Sequence, residues 1–205
     1  MNLKKLKLAE KMFFSRYPGG YDNPEIRAIS DKHKIEKMIE LVHEYFGKKN
    51  FNDPVLIVEN IAKIVTRSSL VSVFEKVKFR DFIYTLEISE RYKLSAGLKD
   101  MLFGDQRRGF ESMIEVLQSG NMAKWAILTV IPNYYYPEKE VFIKPTTVKG
   151  VIDHFELKDI KYSPKPSWEF YEKYRAAIIE MKSKVGSGIT RNNAGFCGFL
   201  MSSLN

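Results

Sequence analysis

Apolar residues recur three and four positions apart through much of the first 120 residues, and that period commits the chain to helices. Asp31 stands as a cap before a segment over 32–46, whose Ile35, Met38, Ile39, Val42 and Phe46 share one face ahead of Gly47. Asp53-Pro54 is a stronger start, a capping carboxylate followed by a residue with no N–H to leave unpaired. The helix it opens is apolar at Leu56, Val58, Ile61, Ile64 and Val65, with Glu59, Lys63, Thr66 and Arg67 as a narrow polar stripe. Ser68-Ser69 offers a break and a new cap, after which Leu70, Val73, Phe74 and Val77 continue the spacing towards Leu86. Ser89 precedes a segment through Leu94, Leu98, Met101 and Leu102, closed by Gly104. Another runs over 106–118 through Phe110, Met113, Ile114 and Leu117. With a weaker N-terminal segment, six helices are expected before residue 120.

The stretch 122–165 reads less clearly. Ala126–Ile131 is short, apolar and partly β-branched, and Glu140–Lys144 is a candidate partner strand across a Tyr134–Tyr136 loop. A helix ending at Pro132 fits the first run equally well, because periodicity does not arbitrate short apolar runs. Residues 146–157 read as helical after Pro145, and Ser167 caps a helix through Tyr171, Tyr174, Ile178 and Met181 that Gly186 and Gly188 end. Ala194–Leu204 is apolar nearly all round and is expected to tuck into the core. The expected fold is therefore mainly α, a compact multi-helix domain of about eight helices, with a small β-hairpin within 126–144 as an alternative there. No repeat or Gly/Ser linker divides the chain, so residues 1–205 are expected to form a single globular helical domain. Residues 1–16 are expected as a peripheral basic amphipathic helix.

The composition, 44% hydrophobic and 28% charged, supports a packed core and argues against disorder. Cys197 is the only cysteine, so an intrachain disulfide is impossible. Glu10 and Lys11 interrupt the place where a leader's apolar region should lie, and no apolar run approaches the roughly 20 residues of a membrane helix. A cytoplasmic location is expected. The net charge of +8 is local: residues 1–16 carry five bases against one acid. Residues 63–80 likewise set Lys63, Arg67, Lys76, Lys78 and Arg80 against Glu75, and the remaining chain is balanced. That distribution excludes a generic polyanion coat and leaves two basic stretches.

Familiar chemical motifs are missing. Gly104 and Gly109 have the spacing of a phosphate-binding loop, but Phe110 stands where its lysine belongs, and Gly186-x-Gly188 lacks the third glycine of a dinucleotide turn. His33, His43 and His154 have no histidine partner at helical spacing, so neither a metal nor a cofactor is expected. Cys197, in Gly195-Phe196-Cys197-Gly198-Phe199, reads as a buried thiol, since a nucleophile turn needs glycine where Phe199 stands. Asp153 with Glu156-Leu157-Lys158 imitates a metal-dependent nuclease, yet Asp159-Ile160-Lys161 matches half of that pattern as well, so a solvated charged face explains both. Tyr134–Tyr136, Trp125 and Trp168 offer stacking surfaces, although the run that follows the tyrosines, Pro137-Glu138-Lys139-Glu140, is net acidic.

Two constellations remain as anion-binding candidates. Arg67, Ser68 and Ser69 precede an expected helix that continues through Lys76, Lys78 and Arg80. Lys144, Thr146, Thr147 and Lys149 flank another helix start. Free N–H groups at a helix start favour anions, and hydroxyls and cations add to them. The plainer account makes the hydroxyls ordinary caps and Glu59, Lys63 and Arg67 a salt-paired stripe. Three functions follow. The first is a binding protein for an anionic partner, nucleic acid or a phosphorylated ligand. The second is an enzyme on a small phosphorylated or carboxylated substrate at 142–158, using Lys144, Lys149, Asp153 and His154. The third is a helical protein–protein interaction scaffold. The lysines among Leu3, Leu6 and Phe13 also suggest contact with anionic membrane, against which Glu10 and the short length count.

Overall fold

A computed structural model describes residues 1–189 and 191–204. It is all-α: eleven α-helices and three short 3-10 turns, with no strand among the described residues. The helices are α1 (Leu3–Arg16), α2 (Pro24–His33), α3 (Ile35–Tyr45), α4 (Pro54–Arg67), α5 (Val73–Thr85) and α6 (Ile88–Phe103). They continue as α7 (Gln106–Ser119), α8 (Trp125–Tyr135), α9 (Pro145–His154), α10 (Trp168–Ser183) and α11 (Asn193–Ser202). Two start on the cap expected of them, at Asp53 and Ser167, α7 starts on Asp105, and α6 starts on Glu87 rather than Ser89. Asp53 accepts from the Leu56 N–H, Asp105 from the Arg108 N–H and Ser167 from the Phe170 N–H, each satisfying a donor the first turn leaves over.

The core is one connected apolar cluster from Leu6 to Leu200. Its centre is α8, buried from Trp125 through Tyr134 on every side, as a helix apolar all round should be. The α6–α7 pair is the most intimate in the fold. Gly97 and Gly109 face each other there, so that a Cβ on Gly109 would collide with the Gly97 carbonyl. α5 packs on α4 and buries Phe79 and Ile83, and its Phe82 ring occupies the space above Gly120. α9 packs on α11. No helix among the described residues is long and apolar enough to cross a membrane.

The structure corrects several details of the expected fold. There is no hairpin within 126–144: Trp125–Tyr135 is α8, which runs through Pro132, and 140–144 forms no regular secondary structure. This buried strap finds partners in side chains. The Ile143 N–H donates to Thr129 Oγ1 at 3.0 Å, and Thr129 in turn donates to the Trp125 carbonyl at 2.7 Å. The count of about eight helices falls short, partly because 32–46 does not form one helix capped by Asp31. Asn23-Pro24 opens α2, and Lys34, in the left-handed region at φ 50°, separates it from α3. Leu6 and Phe13 of α1 lie in the core, whereas Leu3, Leu8 and Met12 face solvent. The C-terminal helix buries Phe196, Phe199 and Leu200.

Candidate anion-binding surface

The first candidate is the turn between α4 and α5, where protein groups occupy the two expected hydroxyls. Ser68 is fully buried, and its Oγ lies 2.8 Å from the Tyr134 hydroxyl while accepting from the Leu70 N–H. Burial pushes the Tyr134 phenol up to about 12, an effect the Ser68 contact partly offsets. Ser69 is exposed, with its Oγ 2.9 Å from His33 Nδ1 at the end of α2. The helix begins four residues beyond Ser69. Ser72 caps it, accepting from the Glu75 N–H and donating to the Glu75 carboxylate at 2.8 Å. The α5 N-terminus therefore already holds an anion, the protein's own Glu75.

The cations of this segment are differently placed. Arg67, Lys78 and Arg80 are exposed and Lys76 is half-buried. Arg80 pairs with neighbouring Asp81 at 2.9 Å. Among the described residues, Arg67, Lys76 and Lys78 have no carboxylate within ion-pair reach. The expected Glu59–Lys63–Arg67 stripe makes no ion pair either: Lys63 donates to Asn60 Oδ1 at 3.1 Å and lies over the Tyr45 ring. Beside these cations α5 turns large apolar groups outward. Phe74 is 83% exposed, Val73 and Tyr84 are each 70% exposed, and Val77 is also exposed.

The second candidate is the start of α9. Lys144 and Thr146 are exposed, Thr147 is buried, and Lys149 lies over the Tyr162 ring at 5.3 Å. No side chain caps this helix; the Thr147 and Val148 N–H groups both donate to the Lys144 carbonyl. Among the described residues no hydrogen bond or ion pair links Lys144, Lys149, Asp153 and His154 to one another. His154 packs edge-on against Phe155, and Asp153 is exposed. No hydrogen bond or ion pair joins this segment to the α4–α5 segment among the described residues. Two surface hollows, of about 410 and 310 Å³, lie elsewhere, the first against α10 around Leu157 and Ala177 and the second around Tyr21 and Arg191.

Sequence reasoning missed the densest polar cluster, which is buried. Glu140, only 3% exposed, accepts from Arg175 Nη1 at 2.7 and 2.8 Å, from the Tyr171 hydroxyl at 2.5 Å and from Gln106 Nε2 at 2.9 Å. Asn193 Nδ2 donates to the Glu140 carbonyl at 3.0 Å, and the Arg175 guanidinium lies over the Trp168 and Tyr171 rings. Burial works against the Arg175 charge, but Glu140 more than offsets it and holds the group above its ordinary value. Burial and the Glu140 carboxylate both push the Tyr171 phenol well up. Both Glu140 carboxylate oxygens and its carbonyl are answered, so the cluster ties α7, the 140–144 strap, α10 and α11 together. Its only trace in the sequence is an acid beside an apolar run.

Burial also pushes the Cys197 thiol up to about 12, which removes the thiolate a nucleophile needs. No group of three or more histidine, cysteine or carboxylate side chains converges among the described residues. Comparison with protein-family models, with curated proteins and with solved structures finds no match.

Proposed function

We propose that the protein is a non-catalytic binding protein for an anionic, phosphate-bearing partner, and that it binds through α5 and the turn before it. The supporting observation is the pairing state of the cations. Arg67, Lys76 and Lys78 stand without a carboxylate partner on a segment carrying five of the chain's bases against one acid. A cation left unpaired at the surface is free to release counterions on meeting a polyanion. Ser68 and Ser69 are already engaged by Tyr134 and His33, so the contacts fall to the side chains of Arg67, Lys76, Lys78 and Arg80.

The test is a titration of the whole protein with a fluorescent single-stranded oligonucleotide and, separately, with anionic vesicles, at several salt concentrations. At least one of these partners should bind, binding should weaken steeply with salt, and K76Q/K78Q should flatten the dependence. Affinity for neither partner at low salt, or affinity indifferent to salt, overturns the proposal. An enzyme built on Lys144, Lys149, Asp153 and His154 gains no support, since neither hollow is lined by any of them.

A further inference from the structure

Exposed large apolar side chains coincide with the charge excess. Thirteen large hydrophobics are strongly exposed among the described residues, and seven of them lie on α1 and α5, which together hold only 27 residues. These two helices carry most of the bases of the two basic stretches. On α1, exposed Leu8 and Met12 lie among Lys4, Lys7 and Lys11. On α5 the pattern is ordered. At roughly 100° per residue, Val73, Tyr84, Val77 and Phe74 fall in one stripe, with Arg80 and Lys76 along one edge and Lys78 along the other. Asp81 falls inside the stripe, where Arg80 neutralises it. The opposite face, Phe79 and Ile83, is in the core, so the stripe is presented by a firmly anchored helix.

From this arrangement we infer that the anionic partner of α5 is a phospholipid surface: Phe74, Val77 and Tyr84 enter the headgroup region while Lys76 and Lys78 meet lipid phosphates. The inference rests on the proposed anionic partner and adds its class. An apolar stripe edged by bases is the pattern of a helix lying in the plane of a membrane. A single-stranded nucleic acid can stack on Phe74 and Tyr84 but gains little from Val73 and Val77, which offer no stacking face and which only an apolar phase rewards. A second copy of the same face brings Lys76 and Lys78 against like charges.

The experiment is co-sedimentation of the full chain with vesicles of phosphatidylcholine alone and of phosphatidylcholine with phosphatidylglycerol, alongside the oligonucleotide titration. Binding is expected only to the anionic vesicles. K76Q/K78Q should weaken it roughly thirtyfold, about fivefold for each lysine near the surface. V73S/V77S, at exposed positions that offer no stacking face, should also weaken vesicle binding while leaving any oligonucleotide binding unchanged. In F74W, brominated lipid should quench emission that wild type, whose Trp125 and Trp168 are buried, does not lose. Oligonucleotide binding without vesicle binding overturns the lipid inference and leaves the anionic partner standing. Vesicle binding unaffected by V73S/V77S, or unquenched F74W, overturns it too, as does self-association of the free protein that F74S abolishes. Binding to neither probe overturns both.

Discussion

Ser68 and Ser69 stand side by side in the chain, and their surroundings give them different roles. Ser68 meets a tyrosine 66 positions away, and no local pattern announces that. Its hydroxyl serves Tyr134 and the Leu70 N–H together, so S68A leaves a buried phenol without its partner. The expected loss is about 1–3 kcal/mol of unfolding free energy in urea. S69A, at an exposed site, should change stability by less than about 0.5 kcal/mol. A loss as large for S69A as for S68A contradicts this division. At Cys197 the raised thiol acidity makes a chemical prediction. The folded protein at pH 8 should react with iodoacetamide roughly a thousandfold more slowly than the urea-unfolded chain, because the thiolate fraction falls tenfold per pH unit. Equal rates would mean an accessible, ionised thiol.

Legibility differed from element to element for a physical reason. α4, α7 and α10 were readable because each joins a side-chain cap to one apolar stripe facing the core. α2 buries no residue at all, so it carries no stripe to read, although Asn23-Pro24 repeats the signal of Asp53-Pro54. α5 was harder because it has two apolar stripes. Val73, Phe74 and Val77 have the spacing of a core face, yet Phe79 and Ile83 turn inward, and only the surroundings of the helix decide which stripe is covered. The strap at 140–144 reads as a strand in the sequence but pairs with none, since its N–H groups meet the side chains of Thr129 and Tyr171. Its anchor is Glu140. E140A strands the Arg175 guanidinium, and as Arg175 keeps 16% exposure the expected cost is about 3 kcal/mol, the lower end for a broken buried pair. E140A/R175M should recover part of that loss in the same urea titration. A double mutant less stable than E140A would show that Arg175 contributes chiefly through its contacts with Trp168 and Tyr171.

Across the whole molecule, the charge and the apolar surface have to be considered together. The balanced body and the two basic stretches are visible in the sequence. The exposure of Phe74 and its neighbours is not, because it depends on how α5 sits on α4 and over Gly120. The candidate surface was thus half legible: its cations by position, its apolar centre only in the fold. The second candidate, at α9, has exposed Lys144 and Thr146 without that apolar company. This contrast makes α5 the expected contact face, and amide hydrogen exchange of the whole protein with and without anionic vesicles tests it most directly. Slowed exchange confined to residues 67–85, and reversed by added salt, is the predicted result. Slowing centred on 144–154 with 67–85 unchanged, or no slowing anywhere, would contradict it.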